Sequence, residues 1–439
     1  MKTNTILFLT CMGLSALFHS SAMGSQSQTD MMSDSTGIRN AAFHEILNGY
    51  LKSALRHNPR IAAAAADWQA QRKQIGAVRG LPDPTFNFGY FLENVETAVG
   101  PQQWKAGFMQ MIPWPGKLIT QGSIQSQKAE AAQHHLQSVI ADVSFQVETV
   151  YLDAYYLERS IAVTQENLDL VGQWEQVILA KYRTAAASQA DLIKTQIETI
   201  KLQDDLATLK ARRLPLLERF RALINTDTLS HLIFPDKLSD PGMSLDKVMV
   251  REAVLSGNPD LASMKSMQKA AEKSLVRTKL NWLPDFSVGL DYINTGNRSM
   301  GGVPVPESGK DPVIVMGSLT FPLWAFKQAD QVSAAREKTV QSQQEVQSKI
   351  NGLEVTFEQA WFAYEDAERK QRLYQEQLLP KSLESLRTTE KAYIGDQVEF
   401  LSLVDAQRRY LSFKLISEKS IVDTYKAIAL LQKMTGRSL

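Results

Sequence analysis

The sequence is almost without cysteine. Its one thiol, Cys11, lies inside an N-terminal apolar run, so a chain trimmed after that run has no disulfide or thiolate chemistry. Neither charge is in excess: 48 Lys and Arg face 47 Asp and Glu. That excludes the basic footprint of a nucleic-acid-binding protein. Beyond the N-terminus there is no run of about 18 apolar residues, so no membrane-spanning helix is expected. A membrane crossing would have to use β-strands, which hydropathy detects poorly. Histidine is scattered over His19, His44, His57, His134, His135 and His231, with no zinc-helix spacing. His134 and His135 are adjacent and point about 100° apart on a helix, away from a shared metal. There is no phosphate loop and no G-x-S-x-G. No catalytic residue, cofactor or resident metal is therefore expected, and the chain is read as a non-enzyme without an energy source of its own.

The N-terminus carries the pattern of an export signal over residues 1–22. Lys2 precedes an apolar run from Ile6 to Leu17, and the small residues Ser20, Ser21 and Ala22 come after it. Cys11 comes too early for a lipoprotein acylation site, and Phe8-Leu9-Thr10 lacks the small residue before it. Residues 23–40 are polar and small and are expected to form a flexible leader, in which Met31 and Met32 bind nothing.

The rest of the chain is an internal duplication. Asn58-Pro59 returns as Asn258-Pro259, and Leu81-Pro82-Asp83 as Leu283-Pro284-Asp285. Ile112-Pro113-Trp114 returns as Phe321-Pro322-Leu323-Trp324, and Gln165-Glu166-Asn167-Leu168 as Gln375-Glu376-Gln377-Leu378. Tyr182, Leu192 and Gln196 match Tyr393, Leu403 and Gln407. The two repeats are residues 41–240 and 241–439. Each is expected to run through a helix (42–79, 245–281), two short strands, a very long helix (117–182, 327–393), a tight turn and a last helix (188–225, 397–435). Residues 116–214 contain no proline, and a helix of about 65 residues spans roughly 100 Å. Leu353, Phe357, Ala360, Trp361, Tyr364 and Ala367 form a packing stripe, and Pro380 predicts a bend.

The strands alternate. Phe86, Phe88, Tyr90 and Leu92 share one face against Thr85, Asn87 and Gly89; Phe286, Val288, Leu290 and Tyr292 oppose Ser287, Gly289 and Asp291. Trp104, Ala106, Phe108 and Ile112 oppose Lys105 and Gly107, with Gln110 an exception; Val313, Val315, Leu319 and Phe321 oppose Ser318 and Thr320. One apolar and one small or polar face suit a water-filled membrane barrel. Four strands cannot close one, so three copies and about twelve strands are expected.

This plan resembles the TolC family of outer-membrane efflux proteins over nearly the whole mature chain. It is carried by the duplicated unit, the two Asn-Pro sites, and the turn Tyr393-Ile-Gly395-Asp-Gln-Val-Glu-Phe-Leu-Ser-Leu-Val-Asp405-Ala-Gln407-Arg408. The resemblance implies a mainly α protein: a homotrimer with a twelve-stranded transmembrane β-barrel in outer-membrane lipid above a periplasmic α-barrel. It also implies partners, a periplasmic adaptor (membrane fusion protein) and an inner-membrane transporter of the RND type, and a passive exit duct between them. Gln110-Met-Ile-Pro-Trp-Pro-Gly116-Lys117-Leu118 resembles a stretch of the heavy-metal efflux branch, while drug export and a type I secretion duct stay open. The resemblance further implies an iris at the helix tip. Tyr393 and Asp405 match its positions, with Tyr182 and Asp191 in the first copy, Lys194 where Asp405 stands in the second, and Val398 where a gating Arg is expected. Gly395, Ala186, Ser188, Gln196 and Gln407 are the expected adaptor-docking residues. A periplasmic adaptor would need lipoyl-like β segments, and a coiled-coil scaffold would lack the signal and the strands.

Overall fold

The computed structural model describes residues 30–242, 245–304 and 306–436, with side chains from residue 43 onward except that of Pro304. The expected signal, Cys11 and His19 lie outside the described residues. Helix α1 covers Asp30–His57, so the backbone of residues 30–40 is helical in place of the expected flexible leader. Phe43 and Leu47 anchor this helix in the core, and extending a nucleated helix toward its N-terminus costs little.

The expected first helix of each repeat is two helices. In the first, α2 (Pro59–Ala77) comes after α1; in the second, α6 (Lys247–Gly257) is followed by α7 (Pro259–Lys279). The Asn-Pro pair makes both breaks. Proline is well placed in a first helical turn but not inside a helix. The Asn58 carboxamide oxygen accepts from the Arg60 N–H, and that of Asn258 from the Leu261 N–H. Each side-chain amide also donates across the fold, Asn58 Nδ2 to the Leu223 carbonyl at 2.8 Å and Asn258 Nδ2 to the Met434 carbonyl at 2.9 Å. One residue type thus caps one helix and ties down the C-terminal end of another.

Strands β1 (Thr85–Thr97) and β2 (Gly100–Ile112) lead into α3 (Pro115–Arg183), a single helix of 69 residues, about 100 Å long. The return is made by α4 (Gln189–Ala211) and α5 (Arg213–Ile224). Pro215 lies in the first turn of α5, which explains why the expected helix 188–225 is broken. In the second repeat, β3 (Asp285–Thr295) is followed by a loop holding the two-residue strands β4 (Ser299–Met300) and β5 (Val303–Pro304), then by β6 (Val313–Thr320). Helix α8 (Ala325–Arg372) passes through a π-helical turn, Leu373–Leu378, into α9 (Leu379–Ile394). That turn is how the chain meets Pro380, whose ring cannot sit against a regular preceding turn. Helix α10 (Phe400–Thr435) is the last described element.

The sheet is antiparallel in the order β1-β2-β3-β6, so the repeats meet at β2 and β3 and leave β1 and β6 as open edges. The main core packs Phe43, Val147, Tyr151, Tyr155 and Phe220 against Ile421 and Tyr425 of α10, joining first and second repeats. A second core gathers Phe357, Trp361 and Leu431, and a third, toward the far end, gathers Trp174, Tyr393, Phe400 and Leu403. The segment between the repeats is held by tyrosine hydroxyls. Tyr151 donates to the Ile233 carbonyl, Tyr425 donates to that of Ser239, and Tyr155 accepts from the Leu238 N–H.

Candidate channel wall and helix tip

Cross-strand register sorts the sheet into two faces. Phe86, Phe108, Leu290 and Val315 lie in one row across all four strands, and Phe88, Ala106, Tyr292 and Val313 in another. Phe86 and Phe108 have ring centroids 5.0 Å apart, and Trp104 and Tyr292 5.5 Å. Most of this face is exposed in the single chain: Phe86, Phe88, Tyr90, Phe108, Val288, Leu290 and Val315 are all open, although elsewhere such side chains form the core. The opposite rows hold Asn87, Gly107 and Asp291, then Gly89 and Lys105. Each charged residue lies over a glycine. A Cβ on Gly107 would come within 1.8 Å of Asp291 Oδ1, and one on Gly89 would touch the Lys105 stem at 3.4 Å. Glycine is what lets the two charged side chains lie flat on this face.

The stretch Gln110–Leu118 turns strand into helix. The Trp114 N–H donates to Asp285 Oδ1 at 2.9 Å, and Lys117 Nζ donates to the same oxygen at 2.8 Å and to the Leu283 carbonyl at 2.9 Å. Lys117 is buried. The motif therefore clasps the Leu-Pro-Asp of the other repeat.

At the far end the two long helices finish alike. The Ala186 N–H donates to the Lys181 carbonyl and the Gln397 N–H to that of Ala392, both at 2.8 Å. These bonds close two Schellman turns, whose left-handed residues are Ala185 (φ 58°) and Asp396 (φ 57°). Gly395, expected to supply the tight geometry, has φ −85° and needs no glycine; a Cβ there would make ordinary contacts. The left-handed position falls one residue later because the Schellman turn places it after the cap.

Tyr393 is only 8% exposed, its ring edge-on to Phe400 with centroids 5.6 Å apart. Burial, and then the nearby charges of Asp191 and Asp396, push its hydroxyl above the usual tyrosine range. Tyr182, its counterpart in the first repeat, is exposed. Lys181 binds this corner together: Nζ donates to the Asp396 carboxylate at 2.6 Å and to the carbonyls of Tyr393 and Ile394. It also stands 5.1 Å from the Tyr393 ring centroid. Neither Lys181 nor Asp396 stands out in the sequence, since their partnership spans the repeats.

Ser188 and Asp191 cap α4 reciprocally. The Asp191 N–H donates to Ser188 Oγ, and Ser188 Oγ to the Asp191 carboxylate at 2.8 Å. Lys194 Nζ lies 3.9 Å from Asp191. Asp405 is exposed and paired with Arg409 one turn along its own helix. Ala186 and Gln196 are exposed. Gln407 is not a surface residue as a docking role requires: it has 0% exposure, and its Nε2 donates to Asn167 Oδ1 at 3.1 Å. Its polar side chain faces inward because Asn167, on α3, supplies the partner. Among the described residues no group of three His, Cys, Asp or Glu is placed to hold a metal ion, and no helix is long and apolar enough to cross a membrane.

A four-stranded sheet with a bare apolar face, set on paired helices of this length, defines the TolC-like outer-membrane channel fold. The sequence matches no family model and no curated protein. Solved structures share the architecture. The chain is similar to the CmeC outer membrane channel of Campylobacter jejuni, at 15% identity and TM-score 0.71 over 98% of this chain and 94% of that one. It is similar to the outer membrane protein VceC of Vibrio cholerae, at 15% identity and TM-score 0.68 over 90% and 98%. CusC, for which conformational changes accompany folding and transmembrane channel formation, aligns at 14% identity and TM-score 0.70 over 90% and 92%. At these identities the likeness is one of fold.

Proposed function

We propose that the chain is the outer-membrane exit duct of a tripartite efflux system, acting as a homotrimer. The observation that carries this is the joining of an apolar-faced sheet with two open edges to helices about 100 Å long. Open edges in lipid leave backbone groups unpaired, whereas three copies give twelve strands. The aromatic face then meets lipid, and Asn87, Lys105, Ser287, Asp291 and Ser318 line a water-filled lumen. The expected export signal over 1–22 fits delivery to the outer membrane, and the two repeats, 41–240 and 241–439, supply two main strands each.

The Schellman turns are the points farthest from the sheet. There the duct would meet a periplasmic adaptor and an inner-membrane transporter of the RND type, which supplies the energy; the duct itself is passive. Tyr182, Asp191 and Asp405 would narrow the tunnel, with Asp405 facing its symmetry mates, while Tyr393, expected there too, is packed against Phe400 within its own chain and would brace the corner behind them. Gly395, Ala186, Ser188 and Gln196 would form the docking tip. Gln110–Leu118 clasps Asp285 rather than any cargo, so its likeness to the metal-efflux branch assigns no substrate. Heavy-metal cations and organic compounds both fit a duct that passes what its transporter loads.

The loops at 95–102 and 296–312 would face the cell exterior. A cysteine replacing Ser299 should react with an impermeant thiol reagent on whole cells. Absence of labelling at normal expression would contradict the orientation.

A further inference from the structure

The clasp between Lys117 and Asp285 joins the first repeat to the second within one chain. The internal duplication places a second set of the same residues where no described segment of the same chain forms the matching clasp. Trp114 and Lys117 correspond to Trp324 and Lys327, and Asp285 corresponds to Asp83. Both Lys327 and Asp83 are exposed, and neither has an ion-pair partner among the described residues. They sit on the two open edges of the sheet: Asp83 just before β1, Lys327 just after β6.

The apolar surroundings are equally bare. Trp114 stacks on Phe286 with centroids 5.9 Å apart, but Leu323, Trp324 and Phe326 are 82%, 67% and 70% exposed. The helices agree. The opening turns of α3 bury Gly122, Ile124, Gln125, Ala129, Ala131 and Ala132. The matching stretch of α8, residues 325–342, buries only Thr339. Helix α3 is flanked by α2 and α7 together, whereas α8 meets α7 and, further along, α6 and α10, and no described helix takes the place of α2 beside its opening turns. By duplication the missing neighbour is an α2, which itself buries only Ile61 and Ala64.

We infer that Lys327 of one chain clasps Asp83 of the next, reproducing across the subunit seam the bridge that Lys117 makes to Asp285 within the chain. This rests on the trimeric duct reading and deepens it, because the duplication also fixes the register of the seam. Within the chain Met109 pairs with Gly289 and Met111 with Ser287. Carrying these pairs to the equivalent strands sets Ser318 opposite Asn87 and Thr320 opposite Thr85, with Leu319 beside Phe86 on the lipid face. A one-residue slip would turn that apolar row into the lumen. Phe326 stands where Gly116 does, so the seam is larger and more apolar than its intrachain counterpart. Pro84, where Phe286 stands, offers the Trp324 ring a flat apolar partner. Once covered in this way, the ion pair is shielded from solvent as Lys117 is, and removing one partner strands the other.

The test uses the full-length protein in outer membranes. Asn87→Cys with Ser318→Cys should oxidise to a reducible covalent ladder ending at a closed trimer. Asn87→Cys with Thr320→Cys, two residues out of register, should give roughly tenfold less. Asp83→Lys or Lys327→Asp alone should lower the temperature at which the trimer dissociates, and the double reversal should restore it. In every sample an amine-reactive cross-linker reports whether trimers exist. Trimers with no in-register disulfide overturn the register and leave the duct reading standing. An in-register disulfide with charge reversals that change nothing overturns the clasp. Absence of trimers by either chemistry overturns both.

Discussion

Lys181 Nζ lies 2.6 Å from the Asp396 carboxylate, so one ammonium on the long helix of the first repeat closes the end of the long helix of the second. The same nitrogen caps the Ile394 carbonyl and joins the Asp396 N–H on the Tyr393 carbonyl, at a helix end where carbonyls lack intrahelical donors. Asp396 is itself exposed, so the ion pair alone is weak. The carbonyl caps and the contact with the Tyr393 ring carry most of the effect.

Replacing Lys181 with Met should therefore loosen the tip locally, by about 1–2 kcal/mol. Hydrogen exchange should speed up over residues 182–190 and 393–399 and stay unchanged around Tyr151 and Phe220. Uniform speeding across the chain, or none at the tip, would show that Lys181 does not hold this corner.

Asp405 and Arg409 form an exposed pair on one helix face, so the arginine offsets part of the carboxylate's field. Asp405→Ala should reduce cation selectivity or divalent block in planar bilayers, and Arg409→Ala should raise it. Trimer stability should be unaffected in both. If neither substitution changes conductance, selectivity or block, Asp405 is a surface carboxylate and not part of a pore ring.

Asn58 and Asn258 each combine a helix cap with a buried bond to another helix's terminal carbonyl. Either Asn→Ala change should cost about 2–3 kcal/mol, through the lost cap and the stranded carbonyl. Asn→Asp keeps the cap but removes the amide donor and should cost nearly as much. Thermal melts of the three forms of each site check this, and an Ala variant that melts with the wild type would refute the double role.

Much of the long-range plan is legible in the sequence because it is periodic. The absence of proline from 116–214 and the alternation through Phe86, Phe88 and Tyr90 need no partner to be read. The helix breaks at Asn58 and Asn258 are visible there only as marks of the repeat, since the carbonyls that make them useful belong to Leu223 and Met434. Pro380 announces a disturbance; its form, a π turn before the proline, depends on packing. Gln407 misleads for a related reason: a polar residue on a helix looks exposed until Asn167, 240 residues away, is seen beside it. Lys181 gives no signal of its own because its partners lie in the other repeat.

Glu148 sits on α3 in largely dehydrated surroundings, and burial pushes its carboxyl up to about 7 from an ordinary 4.5. Charging it costs the folded chain more than the unfolded one. The contribution of this one group is therefore most favourable below about 4.5, falls as pH rises toward 7 and levels off beyond, a loss of about 3 kcal/mol. Glu148→Gln should flatten that part of the profile between pH 5 and 8, giving a variant that melts higher than wild type at pH 8 and much the same at pH 5. A wild-type melting temperature that climbs from pH 5 to 8, and climbs equally in the variant, would contradict the burial of this charge.

Everything proposed for the duct depends on three copies of this chain closing one barrel in the outer membrane. The decisive measurement is the native mass of the protein extracted from outer membranes in mild detergent. A closed barrel of twelve strands requires a single species of three chains after correction for bound detergent. A species of one or two chains, or recovery of the protein only from the soluble periplasmic fraction, would contradict it.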